Sequence, residues 1–411
     1  MKIAHVVRRL SFDDWGGTEQ VVWNLARAQK AAGHDVRVFA TTALCPVERE
    51  VRDGIEVFRF RPVYPWWPMP RRLVAELDRK GGNPFVPGLG RALREWGPDV
   101  VHCHAMARIA ELCLRVASRM SRVEGRKIRS VISLHGGGAL VPEDEAASLR
   151  APTRHRIPWG KALDIALRRV RRVPEDFDGI VCVGADEADY WRARHPHVLF
   201  LPNGVDTALF SGSVREDRSG DLAVRRSVGP TVLCVARIDR QKNQLALVEA
   251  LSRNPGFFLR LVGPVTQPDY LELIRRRADE LGVSGRVAVV GPLSPGSPEL
   301  AAEYRAADAF ALASRHEPFG IAVLEAWAAG VPVAAARVGG LARLCEANPG
   351  ADVVFDPAAA PSSPDSLDSA LRRVLSPDFN RAAAIASGRA AAARHDWRAL
   401  SSELLGFYAA L

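Results

Sequence analysis

The chain has 411 residues, of which 47% are apolar and 25% charged. This composition excludes wholesale disorder and predicts two or three domains with cores of their own. The sequence has no run of about 18 uncharged apolar residues, so no membrane-spanning helix is predicted. The net charge of +9 admits nucleotides, nucleic acid or acidic lipid as partners without choosing among them, since an Arg-rich composition alone gives the same charge.

The N-terminal segment and the cysteines indicate where the protein works. Arg8 and Arg9 follow the apolar run of residues 1–7, where a signal peptide would have its cleavage site, and Asp13 and Asp14 stand where the apolar core of an export signal should follow. None of the six cysteines has C-x-x-C spacing, and most lie in apolar runs, which is typical of reduced core thiols. We expect a cytoplasmic protein.

Short apolar runs of strand length alternate with amphipathic segments in the first half of the chain. Strands are predicted at residues 2–7, 35–40, 100–103, 130–134 and 179–183, and residues 18–32 carry apolar side chains at helical spacing. Because strands that alternate with helices form parallel sheets, this half predicts a doubly wound α/β domain.

The same rhythm restarts after Pro202. Strands are predicted at residues 231–236, 258–262, 287–290, 309–313 and 331–335, with helices at 244–251, 269–281, 299–306 and 320–329. The sequence therefore predicts two Rossmann-like domains, one over residues 1–200 and one over residues 201–395. Apolar residues at helical spacing over residues 397–411 predict one last helix.

One stretch of the second half carries two glutamates at a spacing that suits a ligand. A strand ending near Ala313 leads through Gly320 into a helix, and such a turn aims free backbone N–H groups at the carboxyl edge of the sheet, where a diphosphate can bind. Glu317 precedes this helix and Glu325 lies two turns inside it. A carboxylate accepts two hydrogen bonds at once, which suits vicinal hydroxyls. The alternative is that Glu317 only stabilises the helix N-terminus and Glu325 is an ordinary exposed residue.

The pattern Glu317-X7-Glu325, followed by Ala326-x-Ala-x-Gly330-Val331-Pro332-Val333, resembles the E-X7-E signature of the retaining glycosyltransferases of family 4 (GT4). Other segments resemble the family in the same order. They are Gly16-Gly17-Thr18-Glu19, Gly33-His34-Asp35-Val36, Leu201-Pro202-Asn203-Gly204-Val205-Asp206, Val235-Ala236-Arg237-Ile238-Asp239 with Gln241-Lys242-Asn243, Leu261-Val262-Gly263-Pro264 and Val289-Val290-Gly291-Pro292. Ala236 and Asn243 depart from the family, which often has glycine there.

This resemblance implies the GT-B fold, in which two Rossmann-like domains face each other across a cleft. The first domain would carry the acceptor, the second the nucleotide sugar, and the last helix, residues 397–411, would cross back to the first domain. The resemblance also implies a metal-independent enzyme without a cofactor. It would move a sugar from a nucleoside-diphosphate donor to a hydroxyl of a small metabolite, natural product, lipid or glycan, with retention of configuration.

The resemblance also implies roles for individual residues. Glu317 would bind hydroxyls of the donor sugar, and Glu325 would bind the ribose hydroxyls of the nucleotide. Arg237 and Lys242 would neutralise the diphosphate; the alternative for both is a solvated basic loop. The other donor-binding positions implied in this way are Gly16, Gly17, Asn203, Gly263, Gly291, Pro318, Phe319, Gly320 and Ile321.

His135 follows a predicted apolar strand and precedes three glycines. The resemblance implies that it contacts the donor sugar near the anomeric carbon, so we count it with Glu317, Arg237 and Lys242 as a catalytic candidate. The alternative is a loop histidine without a role. The oxyanion loop of an esterase has a similar pattern, but that interpretation needs a G-x-S-x-G motif, and none occurs in the chain.

Several residues of the first half are candidates for acceptor contact. They are Arg8, Asp14, Trp66, His102 and His104. The two histidines face the same side of a predicted strand, but no further ligand cluster is apparent, so we expect no zinc site. The D-x-D motif Asp176-Phe177-Asp178 precedes a strand and is interpreted as a solvated turn, so no metal requirement is expected.

Some alternatives remain open at this point. The basic run over residues 161–172 is compatible with weak peripheral contact to anionic lipid or with an Arg-rich helix packed on the sheet. A GT-B sugar-nucleotide epimerase would share the fold but need no acceptor. Two further interpretations belong to functional classes other than enzymes. One is a basic nucleic-acid-binding protein, for which the sequence has no recognition signature, and the other is a non-catalytic sugar-nucleotide sensor. The sequence favours the glycosyltransferase and leaves the base, sugar, acceptor and oligomeric state undetermined.

Overall fold

A computed structural model describes residues 1–12, 16–80, 82–135, 173–212, 229–317 and 319–411. The chain divides into two compact units, Met1–Pro202 with Trp397–Leu411, and Asn203–Asp396. Each unit is built on one sheet. Among the described residues, no helix is both long enough and apolar enough to cross a membrane.

The first unit contains an eight-stranded sheet. Its strands are β1 (Lys2–Arg9), β2 (Asp35–Thr41), β3 (Arg49–Arg52), β4 (Ile55–Phe60), β5 (Val100–Cys103), β6 (Arg129–Leu134), β7 (Gly179–Cys182) and β8 (Val198–Phe200). Their order is β3-β4-β2-β1-β5-β6-β7-β8, and all pairs are parallel except β3 with β4. Among the described residues before residue 203, the helices are α1 (Gly17–Ala31), α2 (Arg71–Lys80), α3 (Leu89–Trp96), α4 (Arg108–Glu124) and α5 (Ala185–Arg192).

The second unit contains a six-stranded, fully parallel sheet. Its strands are β9 (Thr231–Val235), β10 (Phe258–Val262), β11 (Val287–Val290), β12 (Ala309–Leu312), β13 (Val333–Ala336) and β14 (Asp352–Phe355). Their order is β11-β10-β9-β12-β13-β14. The helices in the described part of this unit are α6 (Thr207–Phe210), α7 (Gln244–Arg253), α8 (Pro268–Glu280), α9 (Pro298–Arg305), α10 (Ile321–Ala329), α11 (Gly339–Glu346), α12 (Leu367–Leu375) and α13 (Arg381–Arg394).

The last helix, α14 (Trp397–Ala410), belongs to the first unit and contacts α1. Its buried residues recur at helical spacing: Trp397, Leu400, Leu404 and Tyr408. They join an apolar cluster with side chains from the central strands of the first sheet, such as Val100 of β5. The helix therefore covers part of that sheet's face, and the predicted return of the chain to the first unit is observed.

The structure confirms the predicted doubly wound α/β architecture and corrects some boundaries. The strand expected at residues 331–335 is shifted to Val333–Ala336, because Pro332 has no N–H for the sheet and contributes only its carbonyl, which accepts from the Phe310 N–H at 2.8 Å. Gly320, expected inside a helix, is instead the N-cap of α10 with φ of +96°. Strands β3, β4, β8 and β14 were not expected.

Candidate active site

The second sheet has a switch point between its neighbouring central strands β9 and β12, because the chain builds the sheet outward in both directions from there. The carboxyl ends of parallel strands lie at one edge of a sheet, and ligands of such sheets bind at the switch point. The loops that follow β9 and β12 therefore lie next to each other. They carry most of the motifs singled out in the second half of the sequence.

Hydrogen bonds tie these two loops together. The backbone N–H of Arg315 donates to the carbonyl of Gln241 at 2.8 Å. Lys242 Nζ donates to Glu317 Oε2 at 2.6 Å, and each of these two side chains is only 13% exposed. The structure thus brings together two residues that are 75 positions apart, and it pairs a predicted phosphate ligand with a predicted sugar ligand.

Asp239 organises the loop after β9, and sequence analysis assigned it no role. Its side chain is 3% exposed, accepts from the Lys242 backbone N–H at 3.0 Å and lies 3.4 Å from the Arg237 guanidinium. Arg237 itself remains 51% exposed in its side chain. Asn243 adopts a left-handed conformation with φ of +55°, which asparagine tolerates better than most residues. The replacement of glycine at this position is therefore compatible with the turn.

The two glycines predicted at the ends of β10 and β11 differ in their surroundings. Gly263 has φ of +148°, and a Cβ there would lie 2.1 Å from the Ala236 carbonyl oxygen, so only glycine allows the strand end to approach its neighbour this closely. Gly291 is exposed, and a Cβ there would meet no atom of the described residues within 4 Å beyond its chain neighbours. Packing therefore requires glycine at 263 but not at 291.

Helix α10 begins at the same edge of the sheet. Its N-cap, Gly320, is buried, and a Cβ there would lie 2.7 Å from Leu341 Cδ1. No side chain of the described residues caps this helix, so its first N–H groups are not satisfied by a cap and point out of the helix end. Phe319 and Ile321 beside it are half-buried. This end can donate hydrogen bonds to an anion.

Glu325 lies inside α10 and is 5% exposed, so it is not the ordinary exposed residue of the alternative interpretation. Tyr304 of α9, which sequence analysis did not single out, donates its hydroxyl to Glu325 Oε2 at 2.7 Å. Burial raises the pKa of Glu325 to about 7, and the hydrogen bond from Tyr304 opposes this rise. A carboxylate with such a pKa changes charge near neutral pH.

The predicted glycine loop of the first unit is held by hydrogen bonds and an ion pair within that unit. Gly16 and Gly17 are exposed at the start of α1, and the Gly16 N–H donates to Glu19 Oε2 at 3.0 Å. Glu19 also accepts from Arg9 Nε at 2.6 Å. The glycine loop is therefore a capped helix start held by an ion pair. Asn203, the first residue of the second unit, is half-buried in the segment before α6.

Arg8 and Trp66, both expected to contact an acceptor, belong to one local arrangement around α2. The Arg8 guanidinium donates to the Asp78 carbonyl at 2.9 Å and also reaches the carbonyls of Leu77 and Arg79 at 3.4 Å. It thereby satisfies carbonyls of the last turn of α2. Trp66 is half-buried against the small cluster formed by Tyr64, Leu73 and Leu77. Both residues have evident structural roles.

The predicted histidines of the first unit lie along the carboxyl half of neighbouring strands. His135 follows β6 and is half-buried, and its Nε2 lies 3.1 Å from His104 Nδ1. His102 is fully buried, and both its ring nitrogens have partners, the Tyr408 hydroxyl at 2.6 Å and Ser133 Oγ at 2.7 Å. The structure therefore offers no free atom of His102 to an acceptor. His5, which sequence analysis missed, lies 2.9 Å from His104.

The D-x-D motif has a structural role in the first unit, and the other remaining predictions fall outside the described residues. Asp178 of the D-x-D motif accepts hydrogen bonds from the Ser130 backbone N–H and hydroxyl, both at 2.7 Å, and Phe177 is buried, so the motif joins the turn to β6. Asp14, Pro318, the glycines at 136–138 and the basic run at 161–172 lie outside the described residues.

Comparison with known proteins gives a consistent result. Residues 15–209 match the model of Glycosyltransferase Family 4, and residues 224–390 match that of Glycosyl transferases group 1. The chain is 29% identical to a D-inositol 3-phosphate glycosyltransferase of Xylanimonas cellulosilytica over 96% of this chain and 92% of that one. It is 30% identical to D-inositol 3-phosphate glycosyltransferase 1 of Catenulispora acidiphila over 80% of this chain and 76% of that one.

A solved structure supports the fold. The sucrose-phosphate synthase of Thermosynechococcus elongatus has a TM-score of 0.67 and 22% identity over 100% of this chain and 98% of that one. Taken with the two doubly wound sheets, the family models and the full-length relatives, these likenesses show that the chain belongs to family 4 of the glycosyltransferases, that it has the GT-B fold, and that it is a glycosyltransferase.

Proposed function

We propose that the protein moves a sugar from a nucleoside-diphosphate sugar to a hydroxyl of an acceptor, with retention at the anomeric carbon. The observation that carries this proposal is the switch point of the second sheet, where Lys242 and Glu317 lie 2.6 Å apart. Both side chains are mostly buried there, so this ion pair is a built feature of the loops rather than a contact between freely moving surface residues.

The charges of the second unit suit a diphosphate leaving group. Arg237 keeps half of its side chain exposed, and Lys242 is oriented by its ion pair with Glu317. The uncapped start of α10 adds backbone N–H donors. As the bond from sugar to phosphate breaks, negative charge gathers on the nucleoside diphosphate, and cations already in place lower that barrier.

The remaining donor contacts follow from the two glutamates. Glu317, in accepting from Lys242 through Oε2, keeps its other oxygen for a sugar hydroxyl. Glu325 is oriented by Tyr304 through Oε2 and would use its carboxylate for the ribose hydroxyls. Retention and independence of metals rest on the family resemblance. No described residue of the second unit is evidently placed as a nucleophile for a covalent intermediate.

We propose that the first unit presents the acceptor and that the acceptor is a phosphorylated polyol. Support comes from two relatives that align with most of the chain and are named D-inositol 3-phosphate glycosyltransferases. We place the reaction in the cytoplasm, because all six cysteines are free thiols.

A ligand-binding experiment tests the donor assignment. Thermal unfolding would be followed with UDP, GDP, ADP and TDP, for the natural chain and for Glu325→Ala. A ligand at about 100 times its Kd adds about 2.7 kcal/mol of stability, so one nucleotide is expected to raise Tm, and the variant is expected to lose that rise. Glu272→Ala, at a glutamate whose side chain is 69% exposed on α8, is the matched control and should keep it.

Product analysis tests the reaction itself. The stabilising nucleotide fixes the donor class, and its sugar nucleotides are then incubated with and without inositol 3-phosphate. Transfer predicts a glycosylated acceptor whose anomeric configuration matches that of the donor, and free nucleoside diphosphate in equal amount. Turnover of the sugar nucleotide in the absence of any acceptor, with an altered sugar as product, would replace the transferase by an epimerase.

A further inference from the structure

A stripe of polar side chains crosses the apolar face of the first sheet that α1 and α14 cover. His5 of β1 and His102 of β5 are register partners in adjacent parallel strands, and both are fully buried. The cluster around them is otherwise apolar, with Ile3, Val7 and Val131 among its members. Buried polar groups destabilise a core unless they are hydrogen-bonded, so the partners of these rings define what the stripe does.

Two separate hydrogen-bonded chains make up the stripe. One runs from His135 to His104 at 3.1 Å, from His104 to His5 at 2.9 Å, and from His5 Nε2 to Gln29 Oε1 at 2.7 Å. The other joins the Tyr408 hydroxyl, His102 and Ser133 Oγ. Only the first chain reaches His135 at the carboxyl edge of the sheet, and its far end is the side-chain amide of Gln29 on α1.

The side-chain amide of Gln29 sets the direction of hydrogen-bond donation along the first chain. An amide oxygen only accepts, so His5 must carry its proton on Nε2, and its Nδ1 is then an acceptor. His104 consequently donates from Nε2 to His5, and accepts on Nδ1. His135 must then donate from Nε2 to His104, which leaves His135 Nδ1 without a proton. Each ring fixes the tautomer of the next.

Burial keeps the rings of this chain neutral. It lowers the pKa of His5 and of His135 to about 4, and burial together with the neighbouring imidazoles lowers the pKa of His104 well below its ordinary value, so each ring carries one proton at neutral pH. The orientation of the amide follows from the 2.7 Å contact between His5 Nε2 and Gln29 Oε1. Gln29 Nε2 has no hydrogen-bond partner among the described residues.

We propose that Gln29, His5 and His104 act as a tautomer lock, which holds His135 as the Nε2–H imidazole and presents its Nδ1 as a hydrogen-bond acceptor for a hydroxyl of the bound sugar or polyol. The three are positioning residues, and His135 is the group that touches the ligand. The contact of His135 with a sugar or polyol rests on the proposed function, whereas the tautomer that the hydrogen bonds fix does not. Because a carboxamide at the far end cannot take up a proton, the chain fixes a tautomer and does not conduct protons away.

A metal centre is the rival interpretation of the same rings. The ligand atoms of His5, His102 and His104 lie within 4.8 Å of one another, and three histidines form known zinc sites. The hydrogen bonds favour the lock, because both nitrogens of His102 are engaged by Tyr408 and Ser133. A metal would have to break one of these bonds and also part His5 from His104.

The full chain labelled with 15N-histidine tests the lock without any donor or acceptor. Long-range proton–nitrogen NMR distinguishes the two tautomers, and His→Gln spectra assign the resonances among the ten histidines. We expect His135, His104 and His5 all to carry the proton on Nε2. A His135 ring protonated on Nδ1 would overturn the lock, as would zinc that copurifies in equal amount and shifts the three ring resonances on removal by a chelator.

Substitution of Gln29 tests whether the lock reaches His135. Gln29→Met removes the acceptor at similar size, and we expect a mixed tautomer at His135 and a kcat reduced about tenfold, which corresponds to about 1.4 kcal/mol. Ser133→Ala removes a hydrogen bond of the same stripe in the other chain, and should leave both unchanged.

The results of these experiments distinguish a failure of the tautomer lock from a failure of the proposed function. If Gln29→Met folds, by its thermal unfolding, and leaves the His135 tautomer unchanged, the lock is wrong whatever the activity. If Ser133→Ala alters the tautomer as much as Gln29→Met does, the effect is general loosening of the core, and the lock is equally wrong. If no sugar nucleotide is turned over but the tautomers respond as expected, the proposed function fails and the lock stands.

Discussion

Glu325 offers the sharpest test, because the structure predicts that removing its charge stabilises the protein while it disables the site. The carboxyl group is 5% exposed, and burial raises its pKa from 4.5 to about 7. A raised pKa means that the folded protein binds the proton more tightly than the unfolded chain does. Stability from this group is thus fully present below pH 4.5 and is lost as pH rises through 7.

The magnitude follows from the size of that rise. At 1.36 kcal/mol per pKa unit, the ionised carboxylate destabilises the fold at pH 8 by about 3 kcal/mol. Glu325→Gln keeps an oxygen that accepts the Tyr304 hydroxyl and cannot ionise. At roughly 2–4 °C per kcal/mol for a unit of this size, we expect the variant to unfold roughly 6–12 °C higher than the natural chain at pH 8.

Calorimetry at pH 4.5, 6, 7 and 8 measures the effect. The difference in Tm between Glu325→Gln and the natural chain should grow between pH 4.5 and 7 and level off above that, on top of any constant offset from the substitution. The same variant should lose the stabilisation by nucleotide, because an amide cannot accept from two ribose hydroxyls as a carboxylate does. A difference that does not change with pH, or a variant that loses stability as pH rises, would refute the reasoning.

Three further outcomes are expected. Glu317→Ala and Lys242→Ala should each lower turnover at least about 10²-fold with the fold intact. Because the two side chains form one ion pair, the turnover of the double variant should fall by less than the product of the two single effects. Multiplicative losses in a double-mutant cycle would contradict this. Gly263→Ala should lower Tm markedly, because its methyl would meet the Ala236 carbonyl at 2.1 Å, whereas Gly291→Ala, in open space, should leave Tm unchanged; equal Tm values for the two variants would argue against that packing. Exhaustive chelation with EDTA should leave the rate of transfer unchanged, and a loss restored by one added metal would remove the expectation of metal independence.

The sequence predicted the strands that are buried on both faces, because such strands are short continuous apolar runs. Residues 100–103 and 258–262 are buried throughout and were placed without error for this reason. Strand β4 was missed because its sequence, Ile55–Phe60, alternates buried with half-buried residues and carries the charged Glu56 and Arg59. Arg59 is 3% exposed and donates to the Leu10 carbonyl at 2.8 Å, a long-range contact that local pattern does not reveal.

The site was predictable only where a motif is continuous. The two glutamates and Lys242 were found from spacing and resemblance, but their ion pair depends on the order of β9 and β12 in the sheet, which spacing does not give. Tyr304 was missed because it lies on a different helix from Glu325 and shares no motif with it. His5 was missed because its position beside His102 depends on the register of β1 with β5, in which Ile3 pairs with Val100. Aligning the starts of the two strands would place His5 beside Cys103 instead.

The position of α14 has a consequence for how the chain is made. The first unit is discontinuous in sequence, with the whole of Asn203–Asp396 between Pro202 and its last helix. Synthesis proceeds from the N-terminus, so the face of the first sheet that Leu400 and Leu404 cover stays bare until all of the second unit has been added. A fragment that ends at residue 202 should therefore aggregate, and supplying residues 397–411 as a separate peptide or a fused segment should rescue it.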